Sequence, residues 1–216
     1  MVERRNGAYI RVTWLSKLMA DSNPCWWSVW FRANYWVQAR PTDPQFVIWR
    51  AQHTRQVREL TGALKKPGVL VNTEDANFFR YTTNTGATVA GKPDIVAVQD
   101  NMVSIYDVKT GKRRDSDVLQ VMLYMLLLPR ARGTFREHLT QGYVVYTDGR
   151  VEISPDRIDG EFGELFEYFA GVVSGPDAPE KAPSQTNCRF CEVAASDCPE
   201  GAAVLRSAES VLDEVA

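Results

Sequence analysis

The stretch from residue 91 to residue 111, GKPDIVAVQDNMVSIYDVKTG, constrains the fold more than any other part of the chain. Two runs of β-branched and apolar residues flank a Gln-Asp-Asn turn, a pattern typical of two antiparallel strands. Similar composition begins at residue 69, so we predict a β-meander of three or four strands over residues 69–109. A sheet of this kind must be covered by other elements, and the rest of the chain is mainly helical in pattern.

Helices are predicted on both sides of this meander, from apolar residues at helical spacing. Asp115 or Ser116 is expected to cap the helix after the meander, and Pro129 to end it. A Thr-Asp-Gly turn at residues 147–149 predicts a hairpin of strands 142–146 and 150–153. The predicted helices are Val12–Ala20, 25–35, Gln45–Leu64, 116–128, 158–173 and 202–215. This order indicates an α/β or α+β core with helical additions at both ends.

The chain length of 216 residues suits a single domain that buries roughly 70% of its unfolded surface. We expect an N-terminal helical segment (12–44), a core (45–173), a proline-containing linker (174–187) and a cysteine-rich segment (188–216). The longest apolar run, 121–128, is far shorter than the ~20 residues that span a bilayer. Residues 1–12 lack the apolar region of a secretory signal, so we expect a cytoplasmic protein with no membrane partner.

The formal net charge of −2 hides an asymmetry. Residues 1–130 hold 18 Lys and Arg against 11 Asp and Glu, whereas residues 131–216 hold 7 against 16. A basic first part is compatible with a polyanionic partner, and unevenly charged solvated faces are the alternative explanation.

Two acids and a lysine mark the ends of the predicted strands in the 91–111 stretch. Asp107 and Lys109 are two residues apart on a strand and therefore face the same side, and the turn can bring Asp94 close to them. Carboxylates bind Mg²⁺ or Mn²⁺, which activate water and withdraw charge from a phosphoryl group. The site is therefore suited to phosphodiester hydrolysis, although an ordinary hairpin with exposed acids and a salt-bridged lysine has the same pattern.

Polar residues on the neighbouring helices fit the same chemistry. Gln120 and Tyr124 share one face of the helix after the strands, where they can orient a water and a phosphate. His53, on the long earlier helix, is a candidate metal ligand or an ordinary surface or core histidine. Three basic residues follow the strand end and are candidates for contacting a nucleic-acid backbone or are simply solvated: Lys112, Arg113 and Arg114.

In this order, these residues resemble the PD-(D/E)xK nuclease superfamily, specifically its RecB-type branch. The resemblance implies an α/β fold, with a mixed central sheet flanked by helices and helical segments at both termini. It implies a Mn²⁺ or Mg²⁺ site formed by His53, Asp94, Asp107 and the carbonyl of Val108, with Lys109 catalytic. Gln120 and Tyr124 match the Gln-x-x-x-Tyr motif of this branch and complete the expected catalytic set.

The four cysteines are distributed as one plus three. Cys25 lies at the start of the second predicted helix, and Cys188, Cys191 and Cys198 lie close together near the C-terminus. Four thiols can bind a tetrahedral zinc ion or an iron–sulfur cluster, and the count does not separate the two. This order resembles the CRISPR-associated RecB-like exonucleases, which implies a structural [4Fe–4S] cluster that joins the two terminal segments.

All six tryptophans lie within the first 49 residues. We favour packing among the helices and the sheet for most of them, and the alternative is a stacking surface for single-stranded DNA.

The resemblance implies a metal-dependent exonuclease on single-stranded DNA ends, in CRISPR adaptation, recombination or phage DNA processing. The sequence lacks a helicase phosphate-binding motif, so unwinding would need a helicase or CRISPR-adaptation partner, and the protein can act as a monomer or an oligomer. The alternatives are a non-catalytic nucleic-acid-binding module and an adaptor with a structural iron–sulfur or zinc site. The presence of Asp94, Asp107 and Lys109 together favours the enzyme.

Overall fold

Two β-sheets form the framework of the protein, whose computed structural model describes residues 2–21, 23–37, 45–189 and 191–213. The strands are β1 (Tyr9–Arg11), β2 (Leu70–Thr73), β3 (Phe79–Thr82), β4 (Thr88–Gly91), β5 (Ile95–Gln99), β6 (Met102–Lys109), β7 (Leu139–Tyr146) and β8 (Gly149–Ile153). The helices are α1 (Val12–Ala20), α2 (Trp26–Asn34), α3 (Gln45–Leu64), α4 (Asp115–Ala131), α5 (Gly160–Ser174), α6 (Gln185–Arg189) and α7 (Pro199–Asp213). None of the helices in these ranges is long and apolar enough to cross a membrane.

The larger sheet has the strand order β2-β5-β6-β7-β8 and is mixed. The β6–β7 pair is parallel, and α4 provides the crossover that a parallel connection requires. The other three pairs are antiparallel. The smaller sheet, β1-β4-β3, combines a parallel pair with an antiparallel pair. The fold is therefore α/β with mixed sheets flanked by helices, as expected.

The two faces of the larger sheet are covered by different helices. Val57 of α3 packs against Ile95, Ala97, Tyr106 and Val108 on one face. The opposite face packs against α4, whose residues from Gln120 to Leu128 are all buried. Strand alternation therefore sends odd-numbered β6 residues, such as Val103 and Ile105, toward α4.

The predicted meander is wrong in its topology. Residues 69–109 form five strands divided between two sheets, because β3 and β4 pair with each other and β4 also pairs with β1, whereas β2, β5 and β6 belong to the larger sheet. The three-residue β1 was not predicted. The 142–153 hairpin is confirmed, with β7 beginning earlier at Leu139.

Pro129 does not end its helix, contrary to the prediction. It lies inside α4, which continues to Ala131. Proline removes one hydrogen bond to the preceding turn, and burial of the apolar run before it outweighs that loss. Residue Arg114 is the N-cap and makes no side-chain capping bond, so the expected cap by Asp115 or Ser116 is also wrong.

The C-terminal elements also differ from the prediction in their bounds. Helix α6 begins at Gln185, inside the segment expected to be a linker, and α7 begins at Pro199, three residues before the expected start. The expected end of that helix at residue 215 lies outside the described residues, as do residues 38–44 of the N-terminal segment.

Most tryptophans pack as expected. Trp14, Trp27 and Trp30 are buried, and Trp26 stacks on Phe169 at 4.7 Å between ring centroids. Trp36 and Trp49 are the exceptions, with 58% and 54% of their surface exposed.

Candidate active site

The antiparallel register of β5 and β6 brings the two predicted carboxylates together. Ile95 pairs with Tyr106, so Asp94, just before β5, and Asp107 fall side by side at the same end of the sheet. Both Asp107 and Lys109 point to the face of the sheet that α4 covers, where Gln120 of α4 contacts them. The sequence therefore places acid, lysine and amide groups at one edge by strand alternation and helix spacing alone.

The carboxamide of Gln120 connects the residues that are predicted to be catalytic. Its Nε2 donates to Asp107 Oδ1 and to the Tyr124 hydroxyl, each at 3.0 Å. Its Oε1 accepts from Lys109 Nζ at 3.2 Å, and the lysine also forms an ion pair with Asp107 Oδ2. Tyr124 in turn donates to the carbonyl of Lys92 at 3.4 Å. Every polar group of the predicted Gln-x-x-x-Tyr pair is thus used within the site.

Burial governs the electrostatics of this network. Asp107 is only 2% exposed, and burial raises its pKa to about 6 against the opposing effect of the Lys109 charge. For Lys109, burial lowers the pKa, but the Asp107 carboxylate outweighs it, so the pKa is raised and the ammonium form is retained. Burial raises the pKa of Tyr124 well above its usual value, so the phenol remains protonated and can donate. The site therefore contains a stable ammonium beside a carboxylate that is costly to ionise.

The other carboxylate, Asp94, is held from two directions. The backbone N–H of Val108 donates to Asp94 Oδ2 at 2.7 Å. His53 Nε2 lies 3.1 Å from the same oxygen, and this hydrogen bond raises the pKa of the imidazole. Helix α3 thus contributes His53 to the site as predicted.

A cavity of about 630 Å³ opens above these groups and contains most of the predicted residues. Lys112 and Arg114 line it together with the predicted catalytic residues. Arg113 does not line it, since its guanidinium lies 3.1 Å from Asp148 and above the Tyr146 ring. Trp49 and Arg50 of α3 line the cavity as well, one turn before His53.

Two residues that the sequence pattern does not indicate also shape this site. Asp117 is 9% exposed, lines the cavity and accepts a hydrogen bond from the Tyr146 hydroxyl at 3.1 Å. Asp117 lies three residues before Gln120 on α4, a spacing that places both side chains on the same face of the helix. Asn77 is 1% exposed and donates to the carbonyls of Asn72 and Pro93, each at 3.1 Å, which fixes the chain beside Asp94. No periodic pattern marks Asn77, because it lies in a 3₁₀ turn.

The donor set suits a hard divalent ion. Within the described ranges, no three His, Cys, Asp or Glu side chains already form a close metal-binding group. Asp107 Oδ2, however, is buried, and its partner in the structure is the Lys109 ammonium. Carboxylate oxygens of this kind are the ligands that Mg²⁺ and Mn²⁺ prefer. Asp94, Asp107 and the Val108 carbonyl therefore fit such an ion, and His53 adds a nitrogen donor.

All four cysteines line one small cavity between α2, α6 and α7. All are free thiols, and Cys188 is buried. The sulfurs of Cys188 and Cys198 each lie 3.2 Å from the position of a Cβ added to Gly201, so the first turn of α7 closes against them. Cys25 thus lines the same cavity as the C-terminal group, 163 residues away in sequence from Cys188.

A mixed sheet flanked by helices, with paired acids and a lysine at one end of its inner strands, defines a restriction-endonuclease-like protein. The sequence pattern of the PD-(D/E)XK nuclease superfamily matches residues 14–199, and the chain belongs to this superfamily.

Structural comparison agrees with this assignment. The crystal structure of SSO0001 superposes with a TM-score of 0.53 at 15% identity, covering 90% of this chain and 87% of that chain. At this identity the likeness shows the fold alone. No curated protein sequence matches the chain significantly.

Proposed function

We propose that the protein is a Mn²⁺- or Mg²⁺-dependent deoxyribonuclease of the RecB type. The superfamily consists generally of metal-dependent nucleases, and its substrates are nucleic acids. The observation that carries the proposal is the intact network of Asp107, Lys109 and Gln120 beside Asp94, in an open cavity lined with cations. Burying an acid–ammonium pair costs desolvation free energy, and DNA binding alone does not require such a pair, so its presence supports a catalytic site.

The proposed roles follow from the contacts. When bound by Asp94, Asp107, the Val108 carbonyl and His53, a divalent ion would lower the pKa of water and withdraw charge from the phosphate. Gln120 fixes the Lys109 ammonium and the Asp107 carboxylate relative to each other. Lys109 then places a positive charge where the reacting phosphate accumulates negative charge, in a site that burial shields from water. Protonated Tyr124 anchors the amide of Gln120.

We propose single-stranded DNA ends as the substrate and an exonuclease as the mode of action. The basic character of residues 1–130 and the cavity cations Lys112 and Arg114 support binding of a phosphate backbone. The resemblance to RecB-like exonucleases supports the preference for ends, and it suggests CRISPR adaptation, recombination or phage DNA processing as the setting, with a helicase or adaptation protein as the partner.

We also propose that Cys25, Cys188, Cys191 and Cys198 bind a structural [4Fe–4S] cluster. The support is the convergence of all four thiols on one cavity and the resemblance to the iron–sulfur branch of the RecB-type enzymes. A cluster is larger than a single zinc ion, so its thiolates need not already converge as closely as zinc ligands. Bound there, it would tie α2 to the C-terminal helices.

The experiment is purification without oxygen, an absorbance spectrum with iron and zinc contents, and a nuclease assay. Linear and circular single-stranded DNA of equal length are incubated with Mn²⁺ or with EDTA. Degradation of the linear strand alone, in Mn²⁺ alone, supports an exonuclease, whereas cutting of the circle shows an endonuclease. Absence of all Mn²⁺-dependent cleavage contradicts the nuclease, and zinc without iron contradicts the cluster.

A further inference from the structure

A second cavity adjoins the candidate active site, between α1 and β4. Its volume is about 410 Å³, and it shares Thr13, Lys92 and Tyr124 with the larger cavity that holds the catalytic groups. The two cavities are therefore adjacent parts of one groove. The second cavity is therefore within reach of a linear polymer that is bound beside Asp107.

An aromatic ring on a fixed backbone forms one wall of the second cavity. Phe78 is 39% exposed and lines the cavity. Arg132 Nη2 donates to the carbonyls of Ala76 and Phe78 at 2.6 and 2.8 Å, which holds the backbone that carries the ring. The Arg80 guanidinium lies over the Phe78 ring, 5.4 Å from its centroid, in a cation–π contact. An exposed ring held this way is a suitable stacking surface for a nucleobase.

Cationic groups lie on the other side of the same cavity. Arg11 is exposed and precedes α1, whose first residues Val12 and Thr13 also line the cavity. Lys92 is paired with Asp75 at 2.9 Å, and both side chains are largely exposed. Exposed ion pairs contribute little free energy, so a phosphate can take the place of Asp75 at low cost. The cavity thus offers an aromatic surface for a base and two cations for a phosphate.

We propose that this second cavity binds the nucleotide next to the scissile phosphate, with its base on Phe78 and its phosphate on Arg11 and Lys92. The proposal rests on the proposed nuclease function and specifies its substrate. A base inside a duplex is already stacked and paired, so only an unpaired nucleotide can use the Phe78 ring. The groove therefore selects DNA that is single-stranded beside the cleavage position.

The test measures equilibrium binding in EDTA, so that no cleavage occurs. Two fluorescein-labelled probes of equal length are used, a single-stranded oligonucleotide and a strand in which every nucleotide is abasic. Phe78→Ala is expected to weaken binding of the intact strand about tenfold and to leave binding of the abasic strand unchanged. Phe78→Leu is expected to behave like the alanine variant and Phe78→Trp like the wild type, because only an aromatic ring stacks. Equal intact-strand affinity of Phe78→Ala and the wild type overturns the proposal.

Two further variants separate the phosphate contacts from the base contact. Arg11→Ala is expected to weaken binding of both probes about equally. It is also expected to reduce the slope of log affinity against log salt concentration by about one, because one phosphate contact is lost. Asp75→Asn frees Lys92 and is expected to tighten binding of both probes about threefold, a gain that damage to the fold would not produce. Tyr168→Ala and Arg157→Ala change exposed residues outside both cavities and serve as matched controls. If Arg11→Ala and Asp75→Asn bind like the wild type, the phosphate contacts are wrong.

The outcomes also separate this inference from the proposed function. If the binding pattern is as expected but Mn²⁺ elicits no cleavage, the nucleotide site stands and the nuclease function fails. If the wild type cleaves DNA but Phe78→Ala binds and cleaves normally, the function stands and the nucleotide site fails. If the wild type binds no single-stranded DNA, the nucleotide site is overturned directly.

Discussion

Replacement of Gln120 by leucine tests whether one carboxamide holds the candidate active site together. Gln120 is 7% exposed and makes three hydrogen bonds, to Asp107, Lys109 and Tyr124. A bond to a charged group contributes about 1.5–3 kcal/mol and a bond between neutral groups about 1 kcal/mol. Leucine retains most of the side-chain volume, so the cavity contribution is small. Because bonds in one network are not additive, we expect a loss of about 3–5 kcal/mol in the free energy of unfolding.

The assay for this prediction is urea unfolding in EDTA, followed by tryptophan fluorescence. Tyr124→Phe is the matched control, because it removes one hydroxyl from the same network and keeps the ring against Phe79. We expect this control to lose about 1–2 kcal/mol. In the presence of Mn²⁺, Gln120→Leu is expected to reduce the cleavage rate at least about 100-fold, because Lys109 loses its orienting partner. A Gln120→Leu variant as stable as Tyr124→Phe would refute the role of the carboxamide.

Three further predictions concern packing, the thiols and the α3 surface. Gly142→Ala would place a methyl group 2.5 Å from Met125 Sδ and is expected to lower the free energy of unfolding by about 1–3 kcal/mol, measured by urea unfolding. Gly62→Ala, with nothing within 4 Å, is its control and is expected to stabilise α3 by about 0.5–1 kcal/mol. Cys25→Ser is expected to abolish iron incorporation and cluster absorbance. It is also expected to lower the free energy of unfolding by about 4 kcal/mol, by analogy with a cross-link that closes so long a loop. Unchanged iron content would contradict the ligand assignment. Trp49→Ala is expected to weaken single-stranded DNA binding about tenfold with little change in melting temperature. Trp36 is similarly exposed but lies outside the cavity, so Trp36→Ala is expected to leave binding unchanged. Equal effects of the two substitutions would contradict stacking at Trp49.

The proximity of the candidate catalytic residues could be predicted because each spacing has a local geometric meaning. Asp107 and Lys109 share a strand face, and Gln120 and Tyr124 share a helix face, so both pairs follow from periodicity. The turn between β5 and β6 then brings Asp94 to Asp107 through a short antiparallel register. Asp94, Asp107, Lys109, Gln120 and Tyr124 therefore lie on or directly before three consecutive elements, whereas His53 reaches Asp94 from α3 across 41 residues.

The division into two sheets could not be predicted in the same way. Strand β4 pairs in parallel with β1, which lies almost 80 residues earlier and has only three residues. Such a pairing depends on long-range packing of α1 and α4 and leaves no local pattern. The continuation of α4 past Pro129 could not be predicted for a related reason, since burial on several sides stabilises a helix that local propensity would end.

The central claim is that Asp94 and Asp107 bind a catalytic divalent ion beside Lys109. The most direct measurement is the rate of Mn²⁺-dependent degradation of end-labelled single-stranded DNA by Asp107→Asn, which keeps the shape of the side chain and removes its charge. Asp156→Asn, an exposed acid in a 3₁₀ turn, is the matched control. We predict that Asp107→Asn loses at least about 1,000-fold in rate while Asp156→Asn retains the wild-type rate. Degradation by Asp107→Asn at the wild-type rate would contradict the account.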